Sequence, residues 1–174
     1  MLAREHVLFG VTTGVCVSLT FLPNSLPITL MGAFVGSLLP DIDVTTSVIG
    51  KLLLPISAVM NAVFGHRGLI HDLAIWIPIG VFLILLSPDF TGLVVGYWSH
   101  LFLDGLTIQG VPFGHMFYDK DYSDEGQNTH FLPYKLRCKA KSKKAIVYTI
   151  LCCLLSVKFY PMLSQFVSVL NGII

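Results

Sequence analysis

Charged residues are scarce in this chain of 174 residues. Lys, Arg, Asp and Glu make up 12% of it, against about 25% in an average soluble domain. Hydrophobic residues make up 54%, and the mean hydropathy is +0.76. This composition excludes an ordinary soluble domain and favours a membrane protein. The length allows a single domain, residues 1–174, without a second core.

Paired cysteines, strand alternation and repeats are also lacking. The four cysteines, Cys16, Cys138, Cys152 and Cys153, have neither zinc-ribbon spacing nor the framework of a disulfide-rich domain. No repeat with a period of 20 to 50 residues appears, and strand alternation is absent outside a loop at 111–134. These absences exclude solenoids and secreted mini-domains and predict free thiols.

Apolar stretches of helical character fill most of the chain. Most are about 13 to 16 residues long, shorter than the roughly 20 needed to cross hydrocarbon upright. They are Val7–Leu22, Leu26–Leu39, Leu52–Phe64, Leu73–Leu86, Phe90–Leu103, and Ala145 to the C-terminus with a break at Lys158–Pro161. We expect an all-α polytopic membrane protein with about 4–6 membrane-embedded helices.

A polar loop at about 111–144 separates the last two stretches. Its basic end, from Lys135 to Lys144, predicts a cytoplasmic location by the positive-inside bias. Membrane lipids with anionic headgroups are the expected partners. Nucleic acid is not expected, because the basic run is short and apolar segments flank it.

Three short clusters of histidine and aspartate lie in or beside the apolar stretches: 40–43, 66–72 and 99–104. Ionisable groups are costly in apolar surroundings and seldom occur there without a partner or a function. Histidine and carboxylate together suit a divalent metal such as zinc or manganese. The clusters therefore predict a metal site.

His100 and Asp104 are four residues apart, so they share one helical face and can bind a single metal. Thr107, three residues further along, is placed to orient Asp104. A structural hydrogen bond is the simpler alternative for this pair when it is considered alone.

His66 and His71 flank Arg67 in the second cluster, and Gly65 and Gly68 allow a turn that brings the imidazoles together. Arg67 beside a helix N-terminus suits phosphate oxygens. The alternative is that Arg67 anchors the membrane edge while the histidines cap helices.

Asp41 and Asp43 end an apolar helix. The helix dipole makes negative charge unfavourable at a C-terminus, so a nearby cation would stabilise the two carboxylates. An extended backbone would send them to opposite sides, one as a ligand and one as an assisting group. His6, at the start of the first stretch, is a further candidate ligand. His115 and His130 lie in the polar loop and are left outside the site.

Taken together, the clusters hold more ligands than one metal needs. Two metals held by such residues would clamp a phosphoryl centre and activate a bridging water. Metal-assisted hydrolysis is the reaction class that this arrangement favours.

The ordered motifs resemble the YdjM-like inner-membrane metal-dependent hydrolases. They are Leu39–Asp43, Gly65–His71, Gly96–Asp104, Leu106–Thr107 and Gly110–Pro112, and the likeness spans residues 1 to about 112. The resemblance implies a helical protein of the bacterial inner membrane with a hydrolase site. It also implies a distant similarity to zinc-dependent phospholipase C and P1 nuclease folds.

The predicted centre is mono- or dinuclear, with zinc favoured over manganese. The metal ligands are His6, Asp41, His66, His71, His100 and Asp104, and the catalytic residues are Asp43, Arg67 and Asp72. A metal-activated water would attack a lipid phosphoester, Asp43 or Asp72 would accept a proton, and Arg67 would hold a phosphate oxygen. Two alternatives remain open: a transporter or proton relay, and a closed metal-bearing scaffold.

Overall fold

The computed structural model describes residues 1–22, 25–64, 68–114 and 128–171. These residues form α1 (Ala3–Phe21), α2 (Leu26–Leu38), α3 (Val48–Leu52), α4 (Leu54–Phe64), α5 (Leu73–Leu86), α6 (Thr91–Gly105) and α7 (Lys143–Asn171). The all-α prediction is confirmed for these ranges, where isolated bridges join Thr107 to Cys138 and Val111 to Thr129 without forming a strand.

One predicted helix boundary is wrong. The sequence predicts a break at Lys158–Pro161, but α7 runs without interruption from Lys143 to Asn171. Proline removes one backbone hydrogen bond. Membrane helices tolerate that loss because neighbouring groups and small local adjustments satisfy the freed carbonyl.

Glycines bring α2 and α6 into backbone contact. A Cβ atom added to Gly96 would lie 2.2 Å from the Ala33 carbonyl oxygen, and one added to Gly36 would lie 2.1 Å from the Leu93 carbonyl oxygen. The glycines are spaced by four on both helices, at Gly32 and Gly36 and at Gly92 and Gly96. This spacing of small residues is typical of closely packed membrane helices.

Helix α1 joins the same packed unit through two further glycines. A Cβ atom on Gly10 would lie 2.7 Å from the Ser37 Cβ atom, and one on Gly14 would lie 2.6 Å from the Ala33 Cβ atom. The start of α1 and the ends of α2 and α6 therefore lie close together. That end of the helix unit carries the described residues of the three motif clusters.

The outer surface of the helices is apolar. Leu85 is 80% exposed, Met31 72% and Phe82 63%, as expected of side chains that contact lipid. By length and composition, one helix of the described residues, Leu26–Asp43, is suited to crossing a membrane. The apolar helix Leu73–Leu86 reaches about 21 Å at 1.5 Å per residue, less than a hydrocarbon core of about 30 Å.

Candidate metal centre

Four segments that are distant in sequence meet at one end of the helices: the start of α1, the 3₁₀ turn Leu39–Asp43 after α2, the 3₁₀ turn Leu69–His71 before α5, and the end of α6. They bring together six predicted site residues: His6, Asp41, Asp43, His71, His100 and Asp104. Five of these side chains are at most 2% exposed, and Asp41 is 21% exposed.

The side chains form two groups that share one histidine. The first group is His6, His100 and Asp104, and the second is Asp41, His71 and His100. Within each group the ligand atoms all lie within 4.8 Å of one another. The rings of His6 and His100 stack with a centroid separation of 3.6 Å and an interplanar angle of 9°.

The separations between nitrogen and oxygen are too long for hydrogen bonds. They are 3.5 Å for His6 with Asp104, 3.5 Å for His71 with Asp43, 3.7 Å for His100 with Asp41, 3.7 Å for His100 with Asp104, and 3.9 Å for His71 with Asp104. Hydrogen bonds of this type measure about 2.7 to 3.2 Å. Two ligands about 2.0 to 2.2 Å from a tetrahedral zinc lie about 3.3 to 3.6 Å apart. The spacing therefore fits residues that share a metal.

The tautomer of His100 strengthens this interpretation. Its Nδ1 atom lies 2.7 Å from the Ser37 carbonyl oxygen, and because a carbonyl only accepts, Nδ1 carries the hydrogen and donates it. The Nε2 lone pair then faces Asp41 and Asp104, each at 3.7 Å. A protonated Nε2 would approach these carboxylates more closely. These three acceptors, two of them buried and one partly exposed, repel one another unless a cation lies between them.

His6 supplies a second unsatisfied imidazole. Both of its ring nitrogens are buried and have no hydrogen-bond partner within the described ranges. An unsatisfied buried group costs about 1 to 3 kcal/mol, and metal coordination through one of the two nitrogens would remove that part of the cost. Asp104 Oδ1, which faces His6, also accepts a hydrogen bond from the Met1 amino group at 2.8 Å.

Asp41 and Asp43 both turn toward the histidines, so the arrangement on opposite sides that an extended backbone would give does not form. The backbone is a 3₁₀ turn, not extended, which places Asp41 beside His100 and Asp43 beside His71. The turn is held from outside, since Asn61 donates to the Asp43 carbonyl oxygen at 2.8 Å and the Ser47 hydroxyl donates to the Asp41 carbonyl oxygen at 2.8 Å.

Asp72 and Thr107 have backbone roles. Asp72 Oδ1 caps α5 by accepting from the Ala74 amide at 2.9 Å, and it accepts from the Gly114 amide at 2.7 Å. The Thr107 hydroxyl donates to the main-chain carbonyl of Asp104 at 2.7 Å, not to its carboxylate. The expectation that Thr107 orients the Asp104 side chain is therefore wrong.

The two roles available to Asp72 can be separated by a pair of substitutions. Asparagine is also a good N-cap, so D72N should keep the melting temperature, whereas D72A should lose about 1 kcal/mol of stability. If the protein carries out the phosphoester hydrolysis expected from the sequence and Asp72 only caps α5, D72N should also keep that turnover. A D72N protein with wild-type melting temperature and strongly reduced turnover would instead identify Asp72 as a proton acceptor.

The remaining histidines and Arg67 lie either outside the described residues or away from the candidate centre. His66, Arg67 and His115 fall outside the described residues, so their roles stay predictions. His130 Nε2 lies 2.8 Å from the Ile108 carbonyl oxygen and joins the polar loop to the chain after α6.

Several residues that position the candidate centre were not predicted from the sequence. Ser37 acts through its main-chain carbonyl, which leaves no sequence signal. Asn61 binds the site turn from 18 positions away, and nothing in its neighbourhood indicates this. The glycines spaced by four on α2 and α6 did carry a readable signal, that of close helix packing.

A polar pocket of about 410 Å³ opens onto the centre. Asp41 and Asp104 line it together with Thr46, Gln109 and Lys141. The pocket therefore reaches the centre from the end of the helices at which Lys141 of the basic loop lies.

The family model for the YdjM inner membrane protein matches residues 1–165. This chain belongs to the YdjM inner membrane protein family. Accordingly, this family member is an integral protein of the bacterial inner membrane, as predicted.

Curated relatives agree with this assignment. The uncharacterized protein YvsG of Bacillus subtilis is 34% identical over 116 residues, which cover 64% of this chain and 71% of YvsG. The inner membrane protein YdjM of Escherichia coli and that of Shigella flexneri are each 33% identical over 130 residues, which cover 64% of this chain and 64% of theirs. The match thus spans just under two thirds of the YdjM proteins. No solved structure matches the chain significantly.

Proposed function

We propose that this YdjM family member is a membrane-embedded, metal-dependent hydrolase of lipid phosphoesters. The observation that carries the proposal is the environment of His100. Its Nδ1 atom is fixed on Ser37, and its Nε2 atom faces two carboxylates at 3.7 Å without a hydrogen bond to any described residue. A divalent cation is the group that such a set of acceptors fits.

Five described residues would hold one or two ions: His6, Asp41, His71, His100 and Asp104. Imidazole and carboxylate together favour zinc, with manganese as the alternative. When bound, such an ion lowers the pKa of a water and polarises a phosphoryl oxygen. The polar pocket at Asp41 and Asp104 gives water and substrate a way in.

Asp43 is the described residue best placed to move a proton. Its Oδ2 atom lies 3.5 Å from His71 Nδ1, and the side chain is buried. It would orient the His71 ring and accept a proton released during hydrolysis. Arg67 is proposed to hold a phosphate oxygen.

The location of the centre favours a lipid substrate. The metal-binding residues lie at helix ends, where phospholipid headgroups meet the protein, and apolar side chains cover the surrounding helices. In this proposal α1, α2, α5, α6 and α7 are embedded in the bilayer. The short helix α4 lies along the bilayer surface with Val59 and Val63 exposed to it.

The proposal is tested by metal analysis joined to an activity assay. Protein purified in mild detergent should contain about one or two zinc or manganese ions per chain. It should hydrolyse a phosphodiester, lose that activity to a chelator, and regain it when metal is returned. Folded protein that is active without metal would contradict the proposal.

The proton-relay alternative makes a different prediction from the same residues. In proteoliposomes a relay would carry proton or solute flux that stops when His100 or Asp104 is replaced. Flux that depends on these residues, without any phosphoester turnover, would replace the hydrolase proposal.

Membrane orientation gives a separate prediction. Lys139 is exposed in the basic loop beside the pocket, and Asp89 is exposed in the turn between α5 and α6 at the opposite end. In a chain without native cysteines, an impermeant thiol reagent added to intact spheroplasts should label D89C but not K139C. The reverse pattern would contradict a cytoplasmic location of the centre.

Native Cys138 is a poor probe for that experiment. It lies in the same loop but is only 1% exposed. Burial also raises the pKa of its thiol, so little reactive thiolate forms at neutral pH. An introduced cysteine at an exposed position avoids both problems.

A further inference from the structure

An apolar cavity of about 170 Å³ lies next to the metal centre. Leu39 and Ile42, on the turn that carries Asp41 and Asp43, form part of its wall, and so does Ile70, which precedes His71. The centre and the cavity are thus built on the same two turns.

The polar side-chain groups in the cavity wall already donate hydrogen bonds to main-chain carbonyl oxygens. Trp76 Nε1 donates to the Leu69 carbonyl oxygen at 3.0 Å, and Trp98 Nε1 donates to the Trp76 carbonyl oxygen at 3.0 Å. The Tyr97 hydroxyl donates to the Ile70 carbonyl oxygen. A polar ligand would lose its hydrogen bonds to water here without replacement. The wall therefore selects a ligand without hydrogen-bonding groups.

The size and position of the cavity suit a hydrocarbon chain. An apolar cavity of about 150 Å³ stays dry and takes up benzene, so this one has room for a segment of about six carbons. Leu83 of α5 lines it, while the neighbouring Phe82 and Leu86 are 63% and 65% exposed on the lipid-facing surface. A chain can therefore reach the cavity from the bilayer.

We propose that this cavity binds one hydrocarbon chain of the lipid substrate while the polar end of that lipid occupies the metal centre. The inference rests on the proposed hydrolase function. It names the substrate as a lipid with a chain long enough to bridge the two sites. Headgroup chemistry alone would not make a good substrate.

Two double variants of identical composition test the role of the cavity. L83F/L93F reduces its volume, since both leucines line it, whereas L85F/L86F adds the same atoms where the leucines are 80% and 65% exposed. Only L83F/L93F should lower turnover of a long-chain phospholipid, by about tenfold, the factor expected when two methylene groups lose their burial. Both variants should keep wild-type metal content and wild-type turnover of a short, water-soluble phosphodiester. Equal effects of L83F/L93F on both substrates would overturn the inference.

A binding measurement keeps the inference testable even if no phosphoester is hydrolysed. Trp76 and Trp98 are the two tryptophans of the chain, and both line the cavity. A lysophospholipid brominated in its acyl chain should quench their fluorescence saturably in detergent, for the wild type and for L85F/L86F but not for L83F/L93F. Saturable quenching with no hydrolysis would support chain binding and reject the hydrolase function. Unsaturable quenching, equal in all three proteins, would reject chain binding.

Discussion

H100A should abolish the proposed metal binding and phosphoester hydrolysis while leaving the protein inserted and folded. His100 belongs to both ligand groups, so its loss weakens each of them. Mutation of residues that merely hydrogen-bond to metal ligands already costs about 10- to 100-fold in affinity or activity. Loss of a shared ligand should exceed about 100-fold. Metal per chain and turnover are the measurements, and D104N should behave in the same way.

His130 provides the matched control. It is a histidine of the same chain that contacts the Ile108 carbonyl oxygen in the polar loop. H130A should therefore keep its metal and most of its turnover. Wild-type metal content in H100A would mean that the cluster at the helix ends is not the metal centre.

G96L should destabilise the protein and empty the proposed metal centre together. Even a Cβ atom at this position would lie 2.2 Å from the Ala33 carbonyl oxygen, and backbone cannot move aside as a flexible side chain can. Overpacking costs about 1 to 3 kcal/mol, and a backbone obstacle belongs at the upper end. Because α2 carries Asp41 on its following turn and α6 carries His100, separating the helices separates the ligands.

The measurements for G96L are melting temperature and metal content in detergent. V95L, at the neighbouring half-buried position of α6, adds a methylene group without obstructing α2 and should retain both properties. G96A should fall between the two. A G96L protein with wild-type melting temperature and metal content would show that close approach of α2 and α6 is not required.

The sequence was sufficient to predict helices and the gathering of the clusters, because both depend on strong local signals. Apolar runs bounded by turns indicate helices, and the spacing of His100 and Asp104 places both on one face. Ionisable groups in apolar surroundings must also find partners. Because the histidines and aspartates of the three clusters can serve as partners for one another, the sequence predicts that the clusters lie close together.

The details that could not be predicted from the sequence depend on tertiary contacts. Whether Asp41 and Asp43 share a side depends on a 3₁₀ turn that Asn61 and Ser47 hold from outside. Asp72 caps a helix and also binds a distant loop amide, and this second contact has no local pattern. Continuation of α7 past residue 158 likewise depends on its environment, not on local propensity.

The hydrogen bond from His100 to Ser37 also limits how many ions the centre can hold equally well. With Nδ1 committed to a carbonyl, the ring has one lone pair to give and cannot complete both ligand groups at once. Asp104 Oδ1 faces His6 and accepts a hydrogen bond from the Met1 amino group, while Oδ2 faces His71 and His100, so a second ion would have to compete with the Met1 amino group for this carboxylate. A metal titration should therefore be stepwise, with a tight first equivalent and a second equivalent that binds more weakly and exchanges faster.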